Sequence, residues 1–323
     1  MQSNRIGITI ITGFLGAGKT SLLNQILKKE VNQKFVIIEN EFSEFGIDAE
    51  IISGAENDNI FELSNGCICC TMNTELQETL EQLLNSELQF DHLLIETTGI
   101  AEPDSIIQSV VANQNLKKSF TIDSVICLID ANNFLKNLEQ SEALKQIAMA
   151  DIAIVNKADN KKPEYLSEMK QHLLKLNPLL RIINTEHADY KDEQLVGCET
   201  FNPILFENTF NQLSFDNSKQ HSEKQSIKSI SIRIDGNFDK AKFLFWMEYY
   251  LLLNQSTIIR AKGILSFEGE SRKQIFQAVK AAFELNDSYF WSNNEKRESK
   301  LIFIGKQLKE ESIKNGLQAL MAV

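Results

Sequence analysis

Short apolar runs alternate with segments of helical periodicity over the first two thirds of the chain. Apolar residues that recur every three or four positions predict helices over residues 21–29 and 73–84, among others. The uninterrupted apolar runs predict buried strands at residues 7–12, 34–39, 92–96, 124–130, 151–156 and 181–184. Buried strands separated by helices are typical of a parallel sheet covered on both faces. We therefore expect an α/β domain with a P-loop type, doubly wound, mostly parallel sheet.

The C-terminal third has a different pattern, which begins after a polar stretch at residues 216–226. This part of the chain is predicted to contain strands at 229–235, 257–268 and 300–308 and helices at 239–253 and 310–321. The aromatic residues of the helix at 239–253 are expected to pack against its sheet. Residues 272–285 fit either a helix or a strand.

Three segments follow from these patterns. The α/β domain is expected to cover residues 1–215 and to end in one or two short helical pieces between 193 and 210. A linker follows at 216–228. A smaller α+β domain is expected at 229–323.

Composition narrows the classes of partner and compartment. The chain has 323 residues, of which 33 are Lys or Arg and 44 are Asp or Glu, so its net charge is -11. This charge disfavours unaided binding to nucleic acid or to an anionic membrane, and we expect neither partner. The N-terminus is predicted to be a strand that runs into a glycine-rich turn, with no signal peptide or membrane span, which predicts a cytoplasmic protein.

The first candidate site is the sequence from Gly13 to Thr20, which fits the P-loop pattern G-x-x-x-x-G-K-[ST] between a predicted strand and a predicted helix. In such a loop, backbone N–H groups converge on phosphate oxygens. Lys19 is expected to meet the β- and γ-phosphates, and the Thr20 hydroxyl to bind Mg²⁺. The expected phosphate-binding residues are Gly13, Gly16, Ala17, Gly18, Lys19, Thr20 and Ser21.

The base of the nucleotide is expected to be read by Asn156, Lys157 and Asp159, in the sequence Asn-Lys-Ala-Asp after an apolar strand. Asp159 can accept both the ring N–H and the exocyclic amine of guanine. Adenine lacks that pair of donors and would leave the carboxylate unpaired. Asn156 is expected to tie this loop to the P-loop, so the nucleotide is predicted to be GTP or GDP.

A third motif completes the predicted hydrolytic site. Glu96 ends an apolar strand and is followed by Thr-Thr-Gly, as in a Walker B segment that approaches Mg²⁺. Gly99 is expected to offer its N–H to the γ-phosphate. Either Glu39 or Asp48, on the acid-rich segment after the strand at 34–39, is the candidate to orient the attacking water. Asp48 also fits an indirect contact with Mg²⁺.

Three cysteines form the candidate metal site. Cys67, Cys69 and Cys70 lie in a turn before a predicted helix, whose N-terminus favours the thiolate form. Three thiolates leave a tetrahedral Zn²⁺ one ligand short. Glu39 is the candidate fourth ligand, or the position is left open for transfer of the ion. The alternative interpretation is a chance run of buried cysteines.

These motifs together resemble the CobW-type metallochaperone GTPases, whose wider class includes HypB and UreG. The resemblance rests on GFLGAGKTSLLN, ENEF with the later GID, NGCICC, ETTG followed by AEP, and NKAD. It extends to the C-terminal third through RAKGI at 260–264 and LIFIGK at 301–306. A His-rich tract that many members carry near the linker is absent here.

The resemblance implies a GTP hydrolase that binds zinc, with cobalt and nickel as alternatives, at Cys67, Cys69 and Cys70. It also implies that the metal passes to a client protein, and it leaves a homo-oligomer open. Three other functions stay open from the residues themselves: a GTP-dependent zinc-sensing or regulatory module, a purely structural zinc site, and a small-molecule kinase on the same fold. The guanine-reading motif argues against the kinase.

Overall fold

The computed structural model describes residues 5–39, 60–64, 72–99, 102–198, 201–215 and 227–322. The chain divides into two compact units, Met1–Leu173 with Leu180–Thr200, and Leu174–Leu179 with Phe201–Val323. Each unit has its own sheet and its own buried apolar core.

The elements in the described ranges are as follows. The strands are β1 (Ile6–Gly13), β2 (Phe35–Glu39), β3 (Ile60–Ser64), β4 (His92–Glu96), β5 (Phe120–Asp130), β6 (Ile152–Asn156), β7 (Arg181–Asn184), β8 (Ile227–Asp235), β9 (Ile258–Leu265), β10 (Arg272–Val279), β11 (Ala282–Phe290) and β12 (Glu298–Lys306). The helices are α1 (Lys19–Lys29), α2 (Met72–Asn85), α3 (Asp104–Ala112), α4 (Gln114–Ser119), α5 (Phe134–Asn137), α6 (Ser141–Met149), α7 (Pro163–Leu176), α8 (Pro203–Phe215), α9 (Lys240–Leu253) and α10 (Glu310–Gln318).

The sheet of the first unit has seven parallel strands in the order β3-β2-β4-β1-β5-β6-β7. Its central strands are buried along their whole length, which explains their uninterrupted apolar sequences. The sheet and its helices confirm the predicted doubly wound α/β fold. The strand β3 was not predicted, because Glu62 at its centre interrupts the apolar run.

The carboxyl ends of the central strands bring the candidate chemistry to one edge of this sheet. The strand β1 lies between β4 and β5, so the last residues of the three strands, Gly13, Glu96 and Asp130, lie at the same edge of the sheet. Asp130 is in register with Asn156 at the end of β6. In open α/β sheets, ligands bind at this edge of the strands.

The second unit contains an antiparallel five-stranded sheet in the order β11-β10-β9-β12-β8. The ambiguous stretch 272–285 lies in the β10–β11 hairpin. The hairpin turns at Lys280, whose φ of 50° places it in the left-handed region. This unit has the predicted α+β character, which confirms the fold class for the second half of the chain.

The helix α8 begins at Pro203, a residue that favours the first helical position. Asn202 caps it, since its Oδ1 accepts hydrogen bonds from the N–H groups of Ile204 at 3.0 Å and Leu205 at 3.1 Å. The helix groups with the second unit, and its Asn211 accepts a hydrogen bond from Arg233 at 2.9 Å. One helix at 203–215 therefore replaces the predicted short pieces between 193 and 210. The domain boundary at residue 215 stays a prediction.

The aromatic helix α9 only partly follows the expectation that its aromatic residues are core residues. Phe243 is fully buried, and the half-buried rings of Trp246 and Tyr250 stack at 4.5 Å. Phe245 and Tyr249 are exposed, so the prediction is wrong for these two residues. None of the helices within the described ranges is long and apolar enough to cross a membrane.

Candidate functional site

The P-loop connects β1 to α1, and two of its glycines lie where no side chain would fit. A Cβ on Gly13 would lie 2.4 Å from the carbonyl oxygen of Leu128, and one on Gly18 would lie 2.5 Å from Nδ2 of Asn156. Both residues also have positive φ, at 140° and 104°. The loop is thus packed closely against β5 and against the end of β6.

The first turn of α1 has the features of an anion site. Gly18, the N-cap residue, has no side chain to satisfy the first N–H groups of the helix. Lys19 is only 6% exposed, so its charge acts in a poorly solvated position beside these N–H groups. Ser21 is exposed on the same turn. N–H groups and a buried cation at a helix N-terminus favour phosphate.

Thr20 and Glu96 place two oxygen atoms that could bind a metal ion beside this turn. The Thr20 hydroxyl donates to Glu96 Oε1 at 3.3 Å, and Glu96 is 3% exposed. On the next residue, the Thr97 hydroxyl donates to Thr12 Oγ1 at 3.0 Å and holds the end of β4 to β1. A hydroxyl and a carboxylate are hard oxygen ligands of the kind that Mg²⁺ prefers, so these two residues fit that ion.

Gly99 lies directly against the P-loop. A Cβ at this position would lie 2.7 Å from the backbone nitrogen of Leu15, so only glycine permits this approach. Its carbonyl oxygen accepts a hydrogen bond from Nε2 of Gln146 at 3.2 Å. The segment that follows β4 is therefore in contact with the phosphate loop.

Asn156 holds three segments together at the predicted base-reading loop, residues 156–159. Its Nδ2 donates to the carbonyl of Ala17 at 3.0 Å, which is the link to the P-loop that the sequence predicts. Its Oδ1 accepts hydrogen bonds from the Ala188 N–H at 2.9 Å and from the Thr185 hydroxyl at 3.3 Å. Because Asn156 is 3% exposed, each of these bonds is shielded from water.

Lys157 extends from this loop back to the P-loop. Its backbone has a φ of 59°, and its Nζ donates to the Gly16 carbonyl at 2.8 Å and to Asp130 Oδ2 at 2.9 Å. Burial alone would raise the pKa of Asp130. The hydrogen bonds from Lys157, from the N–H of Asn132 and from Asn133 outweigh this and hold the pKa below its usual value.

Sequence reasoning assigned no role to Asp130. The signal that could have found it is an acid at the end of a buried strand, the same feature that identified Glu96. Its importance depends on a contact with Lys157, which is 27 positions away in the sequence.

Asp159 lies beside an open cleft of about 560 Å³. The walls of the cleft include Ala158, Thr185, Glu186 and His187. Asp159 is exposed, and its Oδ2 accepts a hydrogen bond from Asn160 at 2.6 Å. The carboxylate is thus available to a base that enters the cleft.

The candidate zinc ligands are described only in part. Cys67, Cys69, Cys70 and Asp48 lie outside the described residues. The backbone of Glu39 ends β2, in register with Ser64 at the end of β3 and with Glu96 at the end of β4. Within the described ranges, no group of three His, Cys, Asp or Glu side chains is placed to hold a metal ion.

Two further cysteines lie away from the candidate metal site in the sequence. Burial raises the pKa of Cys127 to about 12, although the charge of Lys19 acts in the opposite direction. Burial also raises the pKa of Cys198 to about 11. Both thiols are therefore protonated at neutral pH in the metal-free protein.

The fold and the site together define a P-loop nucleotide-binding protein with a second α+β unit. Residues 7–184 match the CobW/HypB/UreG nucleotide-binding domain, and residues 227–321 match the cobalamin synthesis protein cobW C-terminal domain. The chain belongs to the CobW family.

The names of several proteins similar to this chain refer to zinc. The zinc chaperone YjiA of Escherichia coli is 34% identical over 98% of this chain and 99% of its own length. The zinc-regulated GTPase metalloprotein activator 1 of Schizosaccharomyces pombe is 30% identical, over 87% of this chain and 76% of its own. The crystal structure of Zn(II)-bound YjiA GTPase from E. coli has a TM-score of 0.66 and 27% identity, and covers 98% of this chain and 99% of that one.

Proposed function

We propose that this chain is a GTP-binding and GTP-hydrolysing zinc chaperone that delivers its metal to a client protein. One arrangement supports this above all. Ser64, three residues before Cys67, is in register with Glu39, and Glu39 is in register with Glu96. Adjacent strands lie about 4.8 Å apart. A zinc ion bound near Glu39 would therefore lie close to a nucleotide bound at the P-loop.

The relatives supply the identity of the two ligands. Proteins similar over almost the whole chain are named zinc chaperones, and a zinc-bound relative is named a GTPase. We extend both properties to this chain, with cobalt and nickel as alternative metals. The activator name of other relatives supports a client protein as the recipient.

In the proposed hydrolysis, Lys19 neutralises charge that develops between the β- and γ-phosphates. Thr20 and Glu96 would hold Mg²⁺, which when bound neutralises further phosphate charge. Gly99 donates its N–H to the γ-phosphate. Asp48 or Glu39 orients the attacking water. Because no glutamine is evident in that role, we expect slow hydrolysis that zinc and the client accelerate.

The choice of nucleotide is tested by competition of GTP and ATP for a bound fluorescent guanine nucleotide. GTP should compete at concentrations on the order of a hundredfold lower, because adenine leaves the Asp159 carboxylate unpaired. Asp159→Asn should remove most of this preference. Equal competition by ATP in the wild-type protein would favour the small-molecule kinase.

The choice of metal site is tested by titration of zinc against the wild-type protein and against the variant Cys67→Ala, Cys69→Ala, Cys70→Ala. The variant should lose the tight site, while the double variant Cys127→Ala, Cys198→Ala, which removes two protonated thiols, should keep it. Equal zinc affinity in the wild-type and triple-variant proteins would sink the assignment. A variant that loses zinc but keeps a GTP-dependent partner would favour the regulatory module.

A further inference from the structure

Two consecutive residues of α6 contact the segment that follows β4. Gln146 Nε2 donates to the carbonyl oxygen of Gly99 at 3.2 Å. Lys145 Nζ forms an ion pair with Glu102 Oε1 at 2.5 Å. The helix itself packs against β1 and β5, the strands that flank the phosphate site. It is therefore a fixed support from which both side chains reach the same segment.

The contact from Gln146 is the more shielded of the two. Gln146 is 1% exposed, so its amide bonds are protected from exchange with water. The side chains of Lys145 and Glu102 are 29% and 24% exposed, so this ion pair is partly solvated and weaker. On its other side, Gly99 lies against the backbone of Leu15. Gly99 is thus held between the P-loop and α6.

A glycine needs such an external anchor to present a defined N–H. Without a Cβ, its backbone has access to many more conformations than any other residue. The hydrogen bond from Gln146 holds the peptide group on the C-terminal side of Gly99, and the backbone of Leu15 lies against the residue itself. The two contacts together restrict the direction of the Gly99 N–H. An N–H is useful to the transferred phosphate only where it is already directed at the developing charge.

We infer that Gln146 is a positioning residue, which sets Gly99 for contact with the γ-phosphate, and that Lys145 supports it through Glu102. This inference rests on the proposed GTPase function. It assigns to α6 a contribution to GTP affinity that GDP, which lacks the γ-phosphate, does not share. Neither residue touches the nucleotide in this account, since both act through the segment that they hold.

The test compares affinities for GDP and for a non-hydrolysable GTP analogue in the full-length chain. Gln146→Leu should lower affinity for the GTP analogue on the order of tenfold, the usual effect of one buried hydrogen bond, and leave GDP affinity within about twofold. Lys145→Met should act in the same direction by about twofold to threefold, because its ion pair is partly exposed. The matched controls Gln171→Leu and Lys136→Met replace exposed residues of other helices and should change neither affinity.

A purely structural role would lower both affinities together, and that result would overturn the inference, as would an unchanged ratio in both variants. If Gln146→Leu does not fold, Lys145→Met decides alone. Failure of the proposed function gives a different result, in which the wild-type protein binds neither guanine nucleotide. A wild-type protein that binds both, with variants that lose only the GTP analogue, supports the inference.

Discussion

At the scale of single residues, the ion pair between Asp130 and Lys157 joins the Asn-Lys-Ala-Asp loop to the end of β5. Lys157 has a left-handed backbone conformation that is uncommon for a lysine, and such a conformation persists only where its surroundings hold it. Its ammonium is bound by the Gly16 carbonyl and by a carboxylate that is 4% exposed. The pair therefore ties the base-reading loop to the phosphate loop.

We expect Asp130→Asn to weaken binding of GDP and GTP alike, by about threefold to tenfold. The amide keeps the shape of the side chain and can still accept a hydrogen bond from Lys157, but it removes the charge of the pair. A charge-assisted hydrogen bond is worth about 1 kcal/mol more than a neutral one, which corresponds to an affinity change within that range. Equilibrium titration with a fluorescent guanine nucleotide measures the change. The exposed residue Asp192 provides a control as Asp192→Asn. Unchanged affinity in Asp130→Asn would show that Lys157 holds its position without the acid.

Some residues of the candidate site can be predicted from the sequence, and others cannot. The P-loop and the Asn-Lys-Ala-Asp loop could be predicted because each is a contiguous motif whose chemistry lies within a few positions. The contacts of Asp130 and Gln146 could not, since neither residue belongs to a motif and their partners are 27 and 47 positions away. Such contacts exist only once the sheet has brought the strand ends together.

At the scale of elements, β1, β4 and β5 share a polar network at the end of the sheet away from the P-loop. The Thr9 hydroxyl lies 2.9 Å from His92 Nε2 and 3.4 Å from Asp123 Oδ2. Burial lowers the pKa of His92 to about 4. Burial also raises the pKa of Asp123 to about 6, although the N–H groups of Gly197 and Cys198 hydrogen-bond to it. Folding thus keeps His92 neutral down to about pH 4, and it makes Asp123 bind its proton at a higher pH than an exposed aspartate does.

His92 and Asp123 contribute to the free energy of unfolding with opposite dependence on pH. Below pH 6.5 the unfolded chain protonates His92 and the folded chain does not, so stability falls towards pH 4, by about 3 kcal/mol for the full change. Asp123 binds its proton in the folded chain first, so its contribution to stability rises as pH falls from 6 towards 4. The two contributions partly cancel over that range.

We therefore expect Asp123→Asn to make the acid loss of stability steeper. The variant keeps the neutral shape that the folded protein favours but removes the contribution that opposes His92. It should also be at least as stable as the wild-type protein at pH 7.5, where the wild-type carboxylate is charged and partly buried. Urea unfolding at several values between pH 4 and 7.5 gives both comparisons, with Asp192→Asn as the control. An identical pH dependence in the two proteins would contradict this account.

Whether a strand could be predicted from the sequence depended on how fully it is buried. The central parallel strands were evident because burial on both faces requires apolar residues at every position. The edge strand β3 has Glu62 at its centre, so it has no uninterrupted apolar run and was not predicted. The hairpin of β10 and β11 stayed ambiguous because Ile275, Val279 and Phe283 also fit one helical face, and only pairing with β9 resolves the choice.

At the scale of the whole molecule, each of the two units has an apolar core of its own. The core of the first unit is built from aliphatic side chains of β1, α1 and the neighbouring strands. The second has a cluster of aromatic rings in which Phe243 lies 5.4 Å from Phe267 and 5.8 Å from Phe276. Neither cluster, over the described residues, includes a candidate zinc ligand.

We expect removal of zinc by a chelator to leave both units folded. The melting temperature of the metal-free protein should lie within a few degrees of the zinc-loaded protein, apart from the increment that binding itself provides. Calorimetry with and without chelator, at fixed protein concentration, measures the difference. The triple cysteine variant serves as the control, because a chelator should not affect it. Loss of cooperative unfolding on chelation would favour a purely structural zinc site.

The register of Glu39 with Glu96 bears on how zinc and nucleotide would affect each other's binding. With zinc at the proposed site beside Glu39, zinc and nucleotide would bind at neighbouring strand ends. Any coupling between them would be reciprocal: whatever factor zinc imposes on nucleotide affinity, the nucleotide imposes on zinc affinity. Coupling of this kind is commonly fivefold or more. The fluorescence of a bound nucleotide would then measure how much of the protein carries zinc. In the cell, the ratio of GTP to GDP would set the free zinc concentration at which the protein releases its metal.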